Sequence, residues 1–288
     1  MIIVKLVTIV CRRDTQQMLL QAESISRYLE PCEHIILVDS VTDRFSDHEE
    51  YWTRLLAKYY NNHELKLVFP SWSFTFNETD GWIRQQCWKH LVLEYVQDDY
   101  LILDSKNFFI RPDSLDNWQN YYCSQHLLDL STTLTRYQAL SKLYADYWGI
   151  AEQTHVPYMC TPQLFKKTVM GSIKNINQEM ISFLNSKIKN PNSKHDGYFV
   201  SDFLWYFYKS LKIEGFSQWT QLIEGKIEPN FKTLWGPYID LDFMSILNSL
   251  EENIKIVGFH RFFLKNLDHT NKNKINQWII DQNLTHTL

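Results

Sequence analysis

Within the first 112 residues, four short apolar runs alternate with amphipathic stretches, and this alternation limits the fold more than any other feature. Ile2 to Val10 is the first run, Ile35 to Val38 the second, Leu65 to Phe69 the third (closed by Pro70), and Tyr100 to Leu103 the fourth. Short, nearly continuous apolar runs suit strands covered on both faces of a mostly parallel sheet. Between the first two, Asp14 is the expected N-cap of a helix through about Tyr28, with Met18, Leu19, Ala22 and Ile25 on one face. Further helices are expected over His48 to Tyr60 and Gly81 to Val96. The fold class read from this pattern is α/β, with a mostly parallel, Rossmann-like central sheet flanked by helices.

Beyond Pro112 the pattern loosens into a mainly helical second half. Helices are expected over Tyr137 to Trp148, Pro162 to Met170, Asn177 to Ile188 and Ser201 to Leu211, and in the stretch that opens at Leu241. Ile254 to Phe259 reads as a strand, followed by the basic segment His260 to Lys265. Lys189 to Asp196 is polar and turn-rich, the best candidate for a loop. One domain over residues 1–288 is expected.

Composition narrows the function classes. A formal net charge of −4 gives no global attraction to nucleic acid, so no nucleic-acid partner is expected. Only 8 glycines are present, against a Gly-rich phosphate loop. Five spread cysteines without a paired spacing read as reduced thiols in a cytoplasmic protein. No run approaches a membrane span, which leaves association with the inner membrane face as an expectation. Hydrolase, zinc-protease and dinucleotide motifs are missing.

The chemistry-bearing stretch is Tyr100-Leu101-Ile102-Leu103-Asp104-Ser105-Lys106-Asn107-Phe108-Phe109-Ile110-Arg111-Pro112. An apolar strand delivers a carboxylate to its C-terminal end, where ligands bind in open α/β sheets. Asp104 there either meets a divalent cation on a diphosphate or caps a local turn, and spacing alone weighs the two evenly.

Together with the helix Gly81-Trp82-Ile83-Arg84-Gln85-Gln86, this stretch resembles the nucleotide-sugar half of GT-A-fold glycosyltransferases. The likeness is to a bacterial group with a Gly-aromatic-x-Arg-Gln-Gln helix and a Leu-Asp-x-(Asp/Lys)-x-x-Phe-(Ile/Leu)-(Arg/Lys)-Pro strand. Thr8-Ile9-Val10-Cys11-Arg12-Arg13-Asp14 resembles that group's first strand and turn, where the nucleobase and ribose would sit. The resemblance covers much of residues 1–112, read as the nucleotide-sugar half, and leaves residues 113–288 as the acceptor-side half.

The resemblance implies a glycosyltransferase that moves a sugar from a nucleotide-activated donor, a UDP-sugar by analogy, to a hydroxyl of a glycan or other acceptor. Thr8, Arg12, Asp14, Arg84, Gln86, Lys106 and Lys265 are its implied donor-binding residues. Asp104 and His260 are its implied ligands for manganese or magnesium. Asp202, with Asp196 second, is the implied base that takes the acceptor proton. Each has a plainer reading: Arg84 pairs with a surface acid, His260 is a hydrogen-bonded structural residue, and Ser201-Asp202 caps a helix. Where the family carries Asp-x-Asp this chain has Asp104-Ser105-Lys106, so Lys106 stands on the diphosphate as a point charge, is a solvated lysine, or pairs with a nearby acid. Two alternatives stay open: a module that binds nucleotide or glycan without turnover, and a nucleotidyltransferase.

Overall fold

The computed structural model of the chain describes residues 4–39, 48–70, 81–118, 127–131, 135–157, 161–171, 201–215, 230–234, 238 and 241–288. The chain divides into two compact units, Val4–Ser71 with Leu101–Asn120 and Pro229–Leu288, and Met1–Ile3 with Trp72–Tyr100 and Tyr121–Glu228.

In the first unit, β1 (Val4–Val10), β2 (Glu33–Val38) and β3 (Glu64–Val68) pair in parallel, with Val7 opposite Ile35 and Ile36 opposite Leu67. The order is β3-β2-β1-β4, where β4 is Asp99–Asp104. β1, β2 and β4 are buried almost throughout, as continuous apolar runs require. Helices α1 (Thr15–Tyr28) and α2 (His48–Leu56) join β1 and β2 in one core, through Met18, Leu19, Ala22, Ile36, Val38, Trp52 and Leu56.

A second, mixed sheet holds β5 (Asn107–Phe109), β10 (Ile256–Phe259) and β9 (Phe231–Leu234) in that order. β10 runs antiparallel to β5 and parallel to β9. This sheet and the terminal helix His269–Asp281 share a second core, into which Leu20 of α1 also packs. Helix α1 therefore contributes to two cores at once. Its polar residues Gln21, Glu23 and Ser24 are buried in consequence and must be satisfied internally. Glu23 accepts from the Thr285 and His286 amides and the Thr285 hydroxyl at 2.7–2.9 Å, tying the C-terminal segment to α1.

The other unit contains α3 (Gly81–Leu91), the antiparallel pair β6 (Leu127–Asp129) and β7 (His155–Pro157), α4 (Thr135–Trp148), β8 (Gln163–Phe165) and the helix Asp202–Glu214. Aromatic rings fill its core. Tyr100 stacks on Phe165 at 5.3 Å, His90 meets Trp205 edge-on at 4.6 Å, and Trp148 meets Trp205 at 5.4 Å. The Lys209 ammonium is buried here, donating to the Met170 carbonyl at 2.8 Å and facing the Trp205 ring at 4.7 Å.

The protein is thus α/β with a mostly parallel central sheet and helices packed on it. The second half is mixed rather than helical, because strands β6 to β10 all follow Pro112. The helix expected over Pro162 to Met170 is replaced by strand β8 and the short helix Lys167–Met170, after a cis Thr161–Pro162 bond. Gln163, Leu164 and Phe165 are all buried, and a three-residue strand covered on both faces leaves no periodicity to read. The helix expected at Asn177 to Ile188 and the loop at Lys189 to Asp196 lie outside the described residues.

Candidate functional site

The turn between β4 and β5 is built by its own asparagine. The Asn107 carbonyl oxygen Oδ1 accepts from the Asp104 amide at 3.1 Å, closing Asp104 to Asn107 on itself. Asn107 is fully buried and lies against Gly258 of β10. A methyl group at Gly258 would overlap the Asn107 amide and come within 3.0 Å of Thr233 Oγ1, so glycine is required here for space. Gly258→Ala is expected to displace Asn107 and destabilise the fold by about 1–3 kcal/mol, the usual cost of overpacking, read as a lower urea midpoint.

This turn presents an ion pair. The Lys106 ammonium donates to the Asp104 carboxylate, and both side chains are largely shielded from solvent. The backbone of Lys106 is held in turn, its carbonyl accepting from the Phe259 amide at 3.3 Å.

His260 arrives from the end of β10 as the N-cap of the helix Arg261–Asn266. Burial first, then Lys106 and Arg261, push its imidazole down to about 4, against the opposing pull of Asp104. The ring is therefore neutral at pH 7. Its Nδ1 accepts from the Phe262 amide at 3.2 Å, so the single ring proton sits on Nε2. Next to it, the Arg261 guanidinium pairs with Asp14, just past β1. The ends of β1 and β4 therefore converge on the start of one short helix.

Around Asp14 the 3-10 turn Arg12–Asp14 carries further groups. The Asp14 carboxylate accepts from the Cys11 thiol at 2.9 Å and pairs with Arg261, and it makes no side-chain cap on α1. Asp14 thus holds the expected N-cap position of α1, while its carboxylate serves these partners instead of the helix amides. Burial, then Asp14, push the Cys11 thiol up to about 12, which leaves it protonated and unsuited to nucleophilic work. The Arg12 guanidinium lies 4.0 Å over the Tyr51 ring, whose hydroxyl shares a 3.0 Å hydrogen bond with Thr15.

Of the residues the sequence singled out, Asp104, Lys106 and His260 come together, and Asp14 joins them through Arg261. Thr8 is fully buried, its hydroxyl donating to Gln21 at 2.8 Å and accepting from His34 at 2.9 Å. Lys265 is exposed, one turn along the helix from Arg261. Gln86 is buried in α3 of the other unit. Asp202 opens the helix Asp202–Glu214, whose N-cap Ser201 accepts from the Leu204 amide at 3.3 Å. The side chains of Asp202 and Arg84, and Asp196 altogether, lie outside the described residues.

Four contributors escaped the reading: Gln21, Asn107, Gly258 and Arg261. Arg261 and Gly258 were within reach, flanking a histidine already singled out.

Manganese or magnesium takes about six oxygen-rich ligands. Among the described residues no group of three His, Cys, Asp or Glu side chains is suited to a metal ion. Lys106 already occupies one oxygen of Asp104, and the His260 tautomer turns an N–H, not a lone pair, outward from the capped nitrogen. These residues do not by themselves fit a cation. Lys106 and Arg261 are each paired with a carboxylate, Asp104 and Asp14, beside the neutral His260 ring. No helix among the described residues is long and apolar enough to cross a membrane.

No protein-family model matches this chain, and no curated protein sequence matches it.

Proposed function

We propose that this chain is a glycosyltransferase that moves a sugar from a nucleotide-activated donor, a UDP-sugar by analogy, to a hydroxyl of a glycan or similar acceptor. One observation carries the reading: Asp104, Lys106 and His260 share an electrostatic cluster at the C-terminal end of β4, beside the Asp14–Arg261 pair at the end of β1. Strand ends in an open α/β sheet are where a nucleotide would bind.

In the proposed reaction the acceptor oxygen bonds to the anomeric carbon while the bond from that carbon to the diphosphate oxygen breaks. The bonding pair leaves with the nucleoside diphosphate. Lys106 and the His260 Nε2–H stabilise that charge in a shielded site. If the configuration at the sugar inverts, the acceptor proton passes to a carboxylate, the role that the resemblance gives to Asp202 with Asp196 second. A second reading, a module that binds the nucleotide without turnover, is favoured by the ion pair that Lys106 makes where the resembling family has a second carboxylate.

The test is release of nucleoside diphosphate from a panel of nucleotide sugars, with and without hydroxyl acceptors, manganese or chelator. Lys106→Met and His260→Ala are each expected to lower transfer by on the order of a hundredfold or more while far-UV circular dichroism stays unchanged. Wild-type binding without any release selects the module. Full transfer by both variants rules out this site.

A further inference from the structure

We propose that Gln21 is the positioning residue of the proposed donor site, the side chain that fixes how the Asp104–Asn107 turn presents Asp104 and Lys106. The assignment of that site to a diphosphate rests on the function proposed above; the hold on the turn does not.

Gln21 is fully buried on α1, where a glutamine needs a specific reason to be. Its Nε2 donates twice, to the Asp104 carbonyl at 2.8 Å and to the Asn107 carbonyl at 2.7 Å. Backbone carbonyls only accept, so the amide can face them one way only. Its Oε1 then accepts from the Thr8 hydroxyl. Both amide donors and the carbonyl are engaged, and both donors go to the two ends of the turn that carries Lys106.

The hold extends in both directions. Three residues along α1, Ser24 Oγ accepts from the Phe109 amide at 3.0 Å and donates to the Gln21 carbonyl at 2.7 Å. Behind Gln21, with the Thr8 proton committed to Gln21, Thr8 Oγ1 accepts from His34 Nε2, and His34 Nδ1 accepts from the Tyr60 hydroxyl at 2.6 Å. A single chain of donors thus runs from Tyr60 through His34 and Thr8 to Gln21 and the turn. Glutamate in place of Gln21 would set an acceptor against two carbonyls, and asparagine is one methylene short.

The site residues are exposed to failure of this support because a binding group displaced by about 1 Å loses much of its effect. Gln21→Met keeps the volume and removes all three polar contacts. Gln21→Asn keeps the polar group and shortens its reach, and is read in the same way if Gln21→Met does not fold. Tyr60→Phe breaks the same chain at its far end and serves as the control for lost stability alone.

Two readouts separate positioning from mere stability. Amide hydrogen exchange in native buffer is expected to accelerate at residues 104–109 in the Gln21 variants and to stay at wild-type protection in β2. Affinity for UDP, by calorimetry, is expected to fall by about tenfold to a hundredfold, as when a group supporting a ligating residue is removed. Tyr60→Phe is expected to melt earlier yet keep both readouts. Wild-type protection at residues 104–109 in the Gln21 variants, or equal affinity losses in Gln21→Met and Tyr60→Phe, overturns the proposal. If wild-type protein does not bind UDP while the turn still loosens, the diphosphate reading falls and the positioning role of Gln21 stands.

Discussion

Acidification from pH 6.5 to about 4 is expected to strip the fold of stability at close to one proton's slope from His34 alone, about 1.4 kcal/mol per pH unit. His34 is fully buried, and burial, then His63, push its imidazole down to about 3 from an ordinary value of 6.5. The unfolded chain therefore binds a proton that the folded chain refuses throughout this window. The folded-state advantage is intact above pH 6.5 and disappears progressively as pH falls towards 3, for a total of roughly 5 kcal/mol. The hydrogen-bond chain explains the refusal. Nδ1 accepts from Tyr60 and Nε2 donates to Thr8, so a second ring proton would have to reverse the tyrosine hydroxyl in a dry interior. Urea unfolding of wild type and His34→Gln at several pH values checks this, because His260 and His286 share the downward direction and cancel in the comparison. A smaller pH slope in His34→Gln is expected, and parallel slopes would contradict it.

Lys106→Asp is expected to exchange one mode of diphosphate binding for another. Without metal, loss of the ammonium and gain of a second carboxylate beside Asp104 should weaken UDP binding by on the order of a hundredfold, the scale of breaking a shielded charge contact. With manganese added, the two carboxylates supply oxygen ligands that the natural turn lacks, and binding should recover in part. Lys265→Asp, an exposed position, should change affinity by less than about threefold, since exposed charges are screened. Calorimetry with UDP, with manganese or chelator, reads all four combinations. Unchanged metal-free binding in Lys106→Asp would remove Lys106 from the site.

Local pattern carried the strands and their order of appearance. β1, β2, β3 and β4 fall within two residues of where the apolar runs place them, and α1 ends at Tyr28 as read. The turn at Asp104 was legible for the same reason, since a carboxylate after a buried strand stands out. What supports that turn was not. Gln21, Glu23 and Ser24 read as the polar face of an amphipathic helix, and only the second core around Phe108, Val257 and Trp278 buries that face. That core joins segments about 150 residues apart, a pairing no local period reports. Asp14 stands at the N-cap of α1 as read, but its carboxylate serves Arg261, which reaches it from the other end of the chain, instead of the helix amides. The acceptor-side carboxylates Asp196 and Asp202 rest on the resemblance alone.

The most direct test of the central claim is thermal unfolding of the wild-type chain with a panel of nucleoside diphosphates and monophosphates, each with manganese, magnesium or chelator. A ligand that binds only the folded state raises the midpoint by mass action. A rise with one nucleoside diphosphate, larger than with its monophosphate and retained in chelator, is the predicted result. No rise with any nucleotide under any metal condition would contradict the donor-site reading.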